Sequence, residues 1–222
     1  MDGNGRWATQ NDKPRVVGHQ KGAEAVRSIV NECVKLKIDY LTLYAFSSEN
    51  WNRPADEVKA LMSLLGCYLA NELPLFNKNN VRLNLIGNTD RLPVDVQSQL
   101  KRSLKETAQN TGMVLTLALS YGGRDELVRA VKSISQKVAD KTLAHHQITE
   151  ETLSAELDTG GMPDPDLLIR TSGEQRISNF LLWQISYAEL YFTPLFWPEF
   201  GIPALHEALE EYSARCRRFG HA

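Results

Sequence analysis

A chain of 222 residues, at roughly 150 residues per domain, predicts one large domain over 1–222 rather than two. Its 25 Lys plus Arg against 27 Asp plus Glu give a formal charge of −2, which excludes a globally basic nucleic-acid binder while leaving room for a local cationic site. With 42% hydrophobic and 23% charged residues it is too apolar for disorder, and no apolar run approaches the roughly 18–20 residues that cross a membrane.

The opening string MDGNGRW, residues 1–7, is polar and broken by glycine. It lacks the apolar stretch of a signal peptide, and nothing in the sequence shows what would hold it in place. Residues 18–36 have helical spacing, with Ala23, Val26, Val30 and Cys33 on one side. Residues 40–46 (YLTLYAF) are β-rich and almost wholly apolar, as a strand covered on both faces should be. Pro54 suits the first turn of the next helix, where its fixed φ fits and its missing N–H has no partner to lose. That helix carries Val58, Leu61, Leu65 and Leu69 on one face. Residues 81–86 and 113–119 read as strands, 93–109 and 124–140 as helices, 167–169 and 189–192 as short strands, and 204–218 as a last helix. This alternation predicts an α/β fold, a mostly parallel central β-sheet flanked by helices. Cys33, Cys67 and Cys216 are scattered, and read as small buried hydrophobes of a reducing compartment rather than disulfides or zinc ligands.

Parallel sheets bind ligands beyond the carboxyl ends of their strands. The strings found there are SSENWNRP (47–54), SYGGRD (120–125) and RTSGEQRISNF (170–180), and MDGNGRW has the same character. Arg6, Arg15, Arg53, Arg170 and Arg176 lie in or near them. Each alone reads as a solvated surface group; five together point to a polyanion site, because guanidinium forks hold phosphate oxygens bidentately. Gly3 and Gly5 would let backbone N–H groups approach a phosphate, although GNG alone is an ordinary turn. Asp2 suits a hard cation such as Mg²⁺, which takes one or two carboxylates beside water and phosphate oxygens; a turn residue is its other reading. Glu189, a carboxylate inside the apolar run SYAELYF, must be paired or bound. His19 could face an anion or solvent. No P-loop, Rossmann or nucleophile-elbow motif is present. The helix bearing Leu61 and Leu65 and the strand 113–119 are core, or else walls of a hydrocarbon tunnel. In that case Gly66 and Ala70 would leave room, and Met113 or Leu115 would form the floor.

Taken in order, MDGNGRWA, GHQKGA, TLYAFSSENWNRP, SYGGRDE and LLIRTSGEQRISNFLLWQISYAELYF resemble the cis-prenyltransferases, also called isoprenyl transferases, from Met1 to about Arg218. The resemblance implies a single isoprenyl transferase domain with a hydrophobic tunnel, acting as a homodimer. It implies a Mg²⁺-dependent enzyme that condenses isopentenyl diphosphate repeatedly onto an allylic diphosphate such as farnesyl diphosphate, with cis stereochemistry. The product would be a long polyprenyl diphosphate such as undecaprenyl diphosphate, the carrier lipid for cell-wall glycans. A cytoplasmic location at the inner membrane face, with peripheral contact through the lipid product and no nucleic-acid partner, goes with it.

By the same resemblance Asp2 is the catalytic aspartate and a metal ligand, Asn50 helps accept a proton, and Glu189 is the second metal ligand, reached across the dimer. Gly3, Asn4, Gly5, Arg6, Trp7, Arg15 and His19 would hold the allylic substrate, and Ser47, Ser48, Glu49, Trp51 and Arg53 would extend that site. Arg170, Arg176, Ile177 and Ser178 would hold isopentenyl diphosphate. Trp7, Trp51 and Phe46 are aromatic surfaces fit to face an isoprenoid chain. Two departures stand out. Gln175 occupies a position where many bacterial members carry His, so it is left out of the metal set. No apolar strand leads into the aspartate motif, so the family's first strand is expected to be missing, with further residues expected before Met1. A short or branched product, or a non-catalytic partner subunit, are the alternatives within the family.

Overall fold

The computed structural model describes residues 1–216, so the end of the last expected helix lies outside the described residues. In chain order the elements are α1 (Asn4–Gln10), α2 (Arg15–Lys35), β1 (Tyr40–Ser47), α3 (Ala55–Lys78), β2 (Arg82–Ile86), α4 (Val94–Thr107), β3 (Val114–Tyr121), α5 (Gly123–Ala139), α6 (Glu150–Glu156), β4 (Leu167–Arg170), β5 (Glu189–Phe192) and α7 (Ile202–Ser213).

The strands are parallel, as their apolar runs require, but they form two groups. β3 lies between β1 and β2, with Leu117 opposite Leu43 on one side and Leu85 on the other. β4 and β5 pair separately, Ile169 beside Tyr191. The expected central sheet is thus interrupted. β1 and β4 are each paired on one edge, and both line a cavity of about 1090 Å³ that separates them.

Two helices escaped the sequence reading. MDGNGRW is not wholly a loop: Gly3, in the left-handed region at φ 96°, turns the chain into α1. α6 is started by Thr149, whose side chain accepts the Thr152 N–H. In α3, Asp56 and Glu57 in the first turn and Lys78 in the last complement the helix dipole. Pro74 interrupts the same 24-residue helix, removing the N–H that would bond the Ala70 carbonyl.

The main core packs α2, α3, α4 and α7 on one face of the β1–β3–β2 sheet, around Val26, Val30, Leu69, Leu115 and Leu205. A smaller cluster of Ile86, Ala118, Tyr121, Leu168, Leu181 and Ile185 joins the two groups of strands. Cys33 is buried as expected, whereas Cys67 and Cys216 are exposed; their positions turn away from the core, and all three thiols are free.

Candidate active site

The anchor for the opening string comes from loops distant in sequence. The Asp2 N–H donates to Thr171 Oγ1 (2.9 Å), and the Thr171 hydroxyl donates to the Asp2 carbonyl (2.9 Å). The Trp197 N–H reaches the same carbonyl at 2.9 Å. A Cβ on Gly3 would stand 2.5 Å from the Phe196 ring, so only glycine fits this entry. Asp2 is thereby presented at the carboxyl end of β4. Its Oδ1 accepts the Gly3 N–H (2.8 Å) and lies 3.3 Å from Arg6, while Oδ2 accepts from Arg170 (3.1 Å). Burial works against ionisation here, but the Arg170 bond, the Gly3 amide and the Arg6 charge outweigh it and hold the carboxyl below the usual range.

Arg170 also donates to Ser178 Oγ (2.8 Å) and to the Arg176 carbonyl. Glu174, which the sequence reading passed over, binds Arg6 at 2.7 Å and pairs with Arg176, spacing these two guanidiniums. Its signal was its place between Arg170 and Arg176. Gln175 beside it is exposed.

A second cationic group forms around Glu57, also missed. Its Oε1 lies 3.0 Å from Arg53, 3.6 Å from Arg15 and 3.8 Å from His19. The Arg53–Glu57 spacing of four, across the start of a helix, was the available clue. Burial, then the Arg53 charge, pushes His19 below its usual pKa, with Glu57 only partly offsetting them, so the ring is neutral at pH 7. His19 Nε2 and Asn4 Oδ1 both face the cavity and are buried without a hydrogen-bond partner among the described residues. Buried polar atoms left so cost about 1–3 kcal/mol each, and a polar ligand would satisfy them. A diphosphate beside His19 would favour the protonated ring and move its depressed pKa back up. Inorganic pyrophosphate binding near pH 6 should therefore take up protons, and His19→Gln should abolish that part of the uptake. Calorimetry in buffers of different ionisation enthalpy reads it directly.

The Ser47–Asn52 segment turns at the end of β1, where Asn50 Oδ1 accepts the Ser47 N–H (3.1 Å). Ser48 Oγ donates to Glu49 (3.1 Å), and Glu49 accepts from Asn179 (2.8 Å). Ser47, Glu49, Asn50, Arg53, Ile177 and Ser178 border the large cavity together with Asp2, Arg6, Arg15, His19 and Arg170. Trp51 and Trp7 do not line it. Trp51 donates to Ser120 Oγ (2.9 Å) beneath Arg91, and Trp7 lies under Lys13. Of the three aromatic candidates, Phe46 alone lines the apolar space.

That space is a cavity of about 120 Å³ between α2, α3, β1 and β3, opening at Asn4 and His19. His19 to Val26 on α2 and Leu61 to Tyr68 on α3 both run away from the arginines. At 1.5 Å per residue this gives a depth of about 10 Å. Leu61, Leu65 and Tyr68 share one face of α3, which turns Gly66 and Ala70 off the cavity. Met113 and Leu115 are core residues that do not line it, so Tyr68, not either of them, stands at its far end. The Tyr68 hydroxyl is buried without a hydrogen bond among the described residues.

Glu189 opens β5 opposite Leu167, while Arg170 ends β4, roughly 10 Å along the strands at about 3.3 Å per residue. It is paired, as its apolar setting demands, with Arg215 (2.9 Å). Within one chain Glu189 and Asp2 thus serve opposite ends of the same strand pair. No cluster of three or more His, Cys, Asp or Glu able to hold a metal forms among the described residues.

A polyanion site opening on an apolar pocket suits a transferase of prenyl diphosphates. A family model described as "Putative undecaprenyl diphosphate synthase" matches residues 1–220, and the chain belongs to that family, the cis-prenyltransferases. It is similar to an isoprenyl transferase of Geobacter sulfurreducens, 54% identical over 220 residues that make 99% of this chain and 89% of the relative. A ditrans,polycis-undecaprenyl-diphosphate synthase ((2E,6E)-farnesyl-diphosphate specific) of Vibrio vulnificus is 49% identical over 99% of this chain and 88% of its own. Among solved structures, lavandulyl diphosphate synthase from Lavandula x intermedia, in complex with dimethylallyl diphosphate, superposes with a TM-score of 0.97 at 37% identity, covering 100% of this chain and 95% of that one. A probable undecaprenyl diphosphate synthase from Campylobacter jejuni gives 0.79 at 37% identity, over 90% and 92%. No described helix is long and apolar enough to cross a membrane.

Proposed function

We propose that this cis-prenyltransferase, a single domain over residues 1–222, condenses isopentenyl diphosphate repeatedly onto farnesyl diphosphate and makes a polyprenyl diphosphate of the undecaprenyl class. The observation that carries the reading is the pairing of two cationic groups on one cavity. Arg15, His19 and Arg53 stand at the mouth of the apolar pocket and suit the allylic diphosphate, whose hydrocarbon would enter that pocket. Arg170 and Ser178, with Arg176, suit the second diphosphate. Arg6 and the Gly3 amide flank Asp2 between them. The Asn50 amide, held at the rim by Ser47, is the group assigned to help accept the proton lost from the isopentenyl unit.

The ionised Asp2 oxygens, together with phosphate oxygens, fit a hard divalent cation, and Mg²⁺ is the natural choice. Bound there, it would neutralise charge on the departing diphosphate. The arginines stabilise the same charge from positions already fixed by Glu57 and Glu174. Incubating the protein with labelled isopentenyl diphosphate, farnesyl diphosphate and Mg²⁺, then sizing the products, tests the reading. No incorporation would overturn it.

The working unit proposed is a homodimer in which Glu189 serves the active site of the other copy, since one chain holds it away from Asp2. Mixing inactive Asp2→Ala and Glu189→Ala chains under exchange conditions should then restore about a quarter of parent activity, because half the dimers are mixed and each carries one intact site. No restored activity would place Glu189 outside the partner's site.

A second reading, a short-chain product, is favoured by the size of the apolar cavity. An engineered cavity of about 150 Å³ takes one benzene, so 120 Å³ holds about one five-carbon unit unless Tyr68 moves. Tyr68→Ala should lengthen the product distribution, because each further buried methylene contributes about 0.8 kcal/mol. Product sizing reads both outcomes.

A further inference from the structure

Asn179 lies beside the clamp residue Ser178 and was not among the residues singled out by sequence. Its Nδ2 donates to Glu49 Oε1 (2.8 Å), its Oδ1 accepts the Arg124 N–H (2.9 Å), and its carbonyl accepts the Gly123 N–H (2.7 Å). Three strand-end strings are bonded through this one residue: the turn that carries Asn50, the first turn of α5, and the loop that carries the Arg170–Ser178 contact. Ser178 and Asn179 both sit in the left-handed region, at φ 53° and 62°. Asparagine tolerates that region better than most residues do. The junction is also close-packed: a Cβ on Gly122 would come within 2.7 Å of Asn179 Nδ2 and 2.5 Å of Ser48 Oγ. Glu49, the acceptor, is exposed, and bonds from Asn179, its own amide and Ser48 outweigh its partial desolvation and hold its carboxyl below the usual range.

We propose that Asn179 is a positioning residue: its side chain fixes the distance between the Arg170–Ser178 clamp and the turn bearing Asn50. Asn179 borders the large cavity, but its side-chain amide is engaged by Glu49 and by the Arg124 N–H rather than held out toward a substrate. Two substrates must meet in register, and a misplacement of about 1 Å can cost about 10²-fold in rate, so a bolt between their binding elements acts on the condensation step. This rests on the function proposed above.

Asn179→Gly tests it, because glycine keeps the φ of 62° without strain and removes only the side-chain bonds. Steady-state kinetics should show KM for isopentenyl diphosphate raised and kcat lowered, each about tenfold. KM for farnesyl diphosphate should stay within about twofold, and thermal unfolding close to the parent's. Glu49→Ala breaks the same bond from the other side, and the double variant should be no worse than the poorer single one, as for groups acting through one contact. Parent-like kcat and KM in Asn179→Gly would overturn the proposal. So would an equal rise in both KM values that tracks lost stability. Should Asn179→Gly fail to fold, Asn179→Ser is read in the same way. If the parent itself incorporates no isopentenyl diphosphate, the proposed function falls. Calorimetry with inorganic pyrophosphate then decides the positioning role separately: about tenfold weaker binding to Asn179→Gly upholds it and unchanged binding overturns it.

Discussion

Asp2→Ala abolishes condensation, lowering kcat/KM by at least about 10³-fold, while the fold survives. About 4 kcal/mol of transition-state stabilisation corresponds to that factor, a reasonable share for the group proposed to hold the cation against the leaving diphosphate. Stability should barely change, because the main-chain bonds from Thr171 and Trp197 hold residue 2 whatever its side chain. The carboxylate itself is 40% exposed. Its depressed pKa contributes stability only above the unfolded carboxyl value, and that contribution is lost as pH falls through the folded value. The variant's stability should therefore fall less than the parent's on acidification below about pH 4. Removing the carboxylate also frees Arg6 and Arg170, so inorganic pyrophosphate should bind at least as tightly as before. Turnover near the parent's in a folded Asp2→Ala protein would remove Asp2 from the site.

Arg170→Ala is expected to raise KM for isopentenyl diphosphate by about 10²-fold, since a hydrogen-bonded charge in a cleft is worth a few kcal/mol. Arg170 is the hub of the clamp, reaching Asp2, Ser178 and the Arg176 carbonyl at once. Lysine cannot reproduce three contacts made by one planar fork, so Arg170→Lys should recover only part of the loss. KM for farnesyl diphosphate should move far less, because the Arg15–His19–Arg53 group is organised by Glu57 instead. Equal losses for both substrates would merge the two proposed subsites into one.

The apolar runs were legible because a strand covered on both faces has no polar residue to spare. For the same reason the strand ends could be searched for chemistry, and four of the five arginines found there, Arg6, Arg15, Arg53 and Arg170, line one cavity. Arg176 does not line it and is tied to it through Arg170 and Glu174. Glu57 and Glu174 were not legible: a carboxylate that organises arginines looks like any solvated acid until its partners are brought to it from Arg15 and Arg6. The hold on Asp2 was hidden too, since Thr171 and Trp197 reach it from far along the chain. α1 was missed because glycines that break a helix in isolation here serve its entry at Gly3 and the contact of α2 with α1. A Cβ on Gly18 would fall 2.0 Å from the Asn4 carbonyl oxygen. The helix and strand expected to wall the pocket do so, through Leu61 and Leu65 and through Leu117 and Leu119. The small residues Gly66 and Ala70 lie on the other side of α3, and the end is formed by Tyr68, whose direction depends on the helix rotation.

Pro74 gives the pocket wall a mechanical property. The Ala70 carbonyl lacks its helical donor just beyond Tyr68, a missing bond that would leave α3 more compliant past the cavity's end than where it meets the arginines. A lengthening hydrocarbon would press on the compliant part while the diphosphate end stays in register. Growth of the guest could then be absorbed as bending of its container, with the reacting ends left undisturbed.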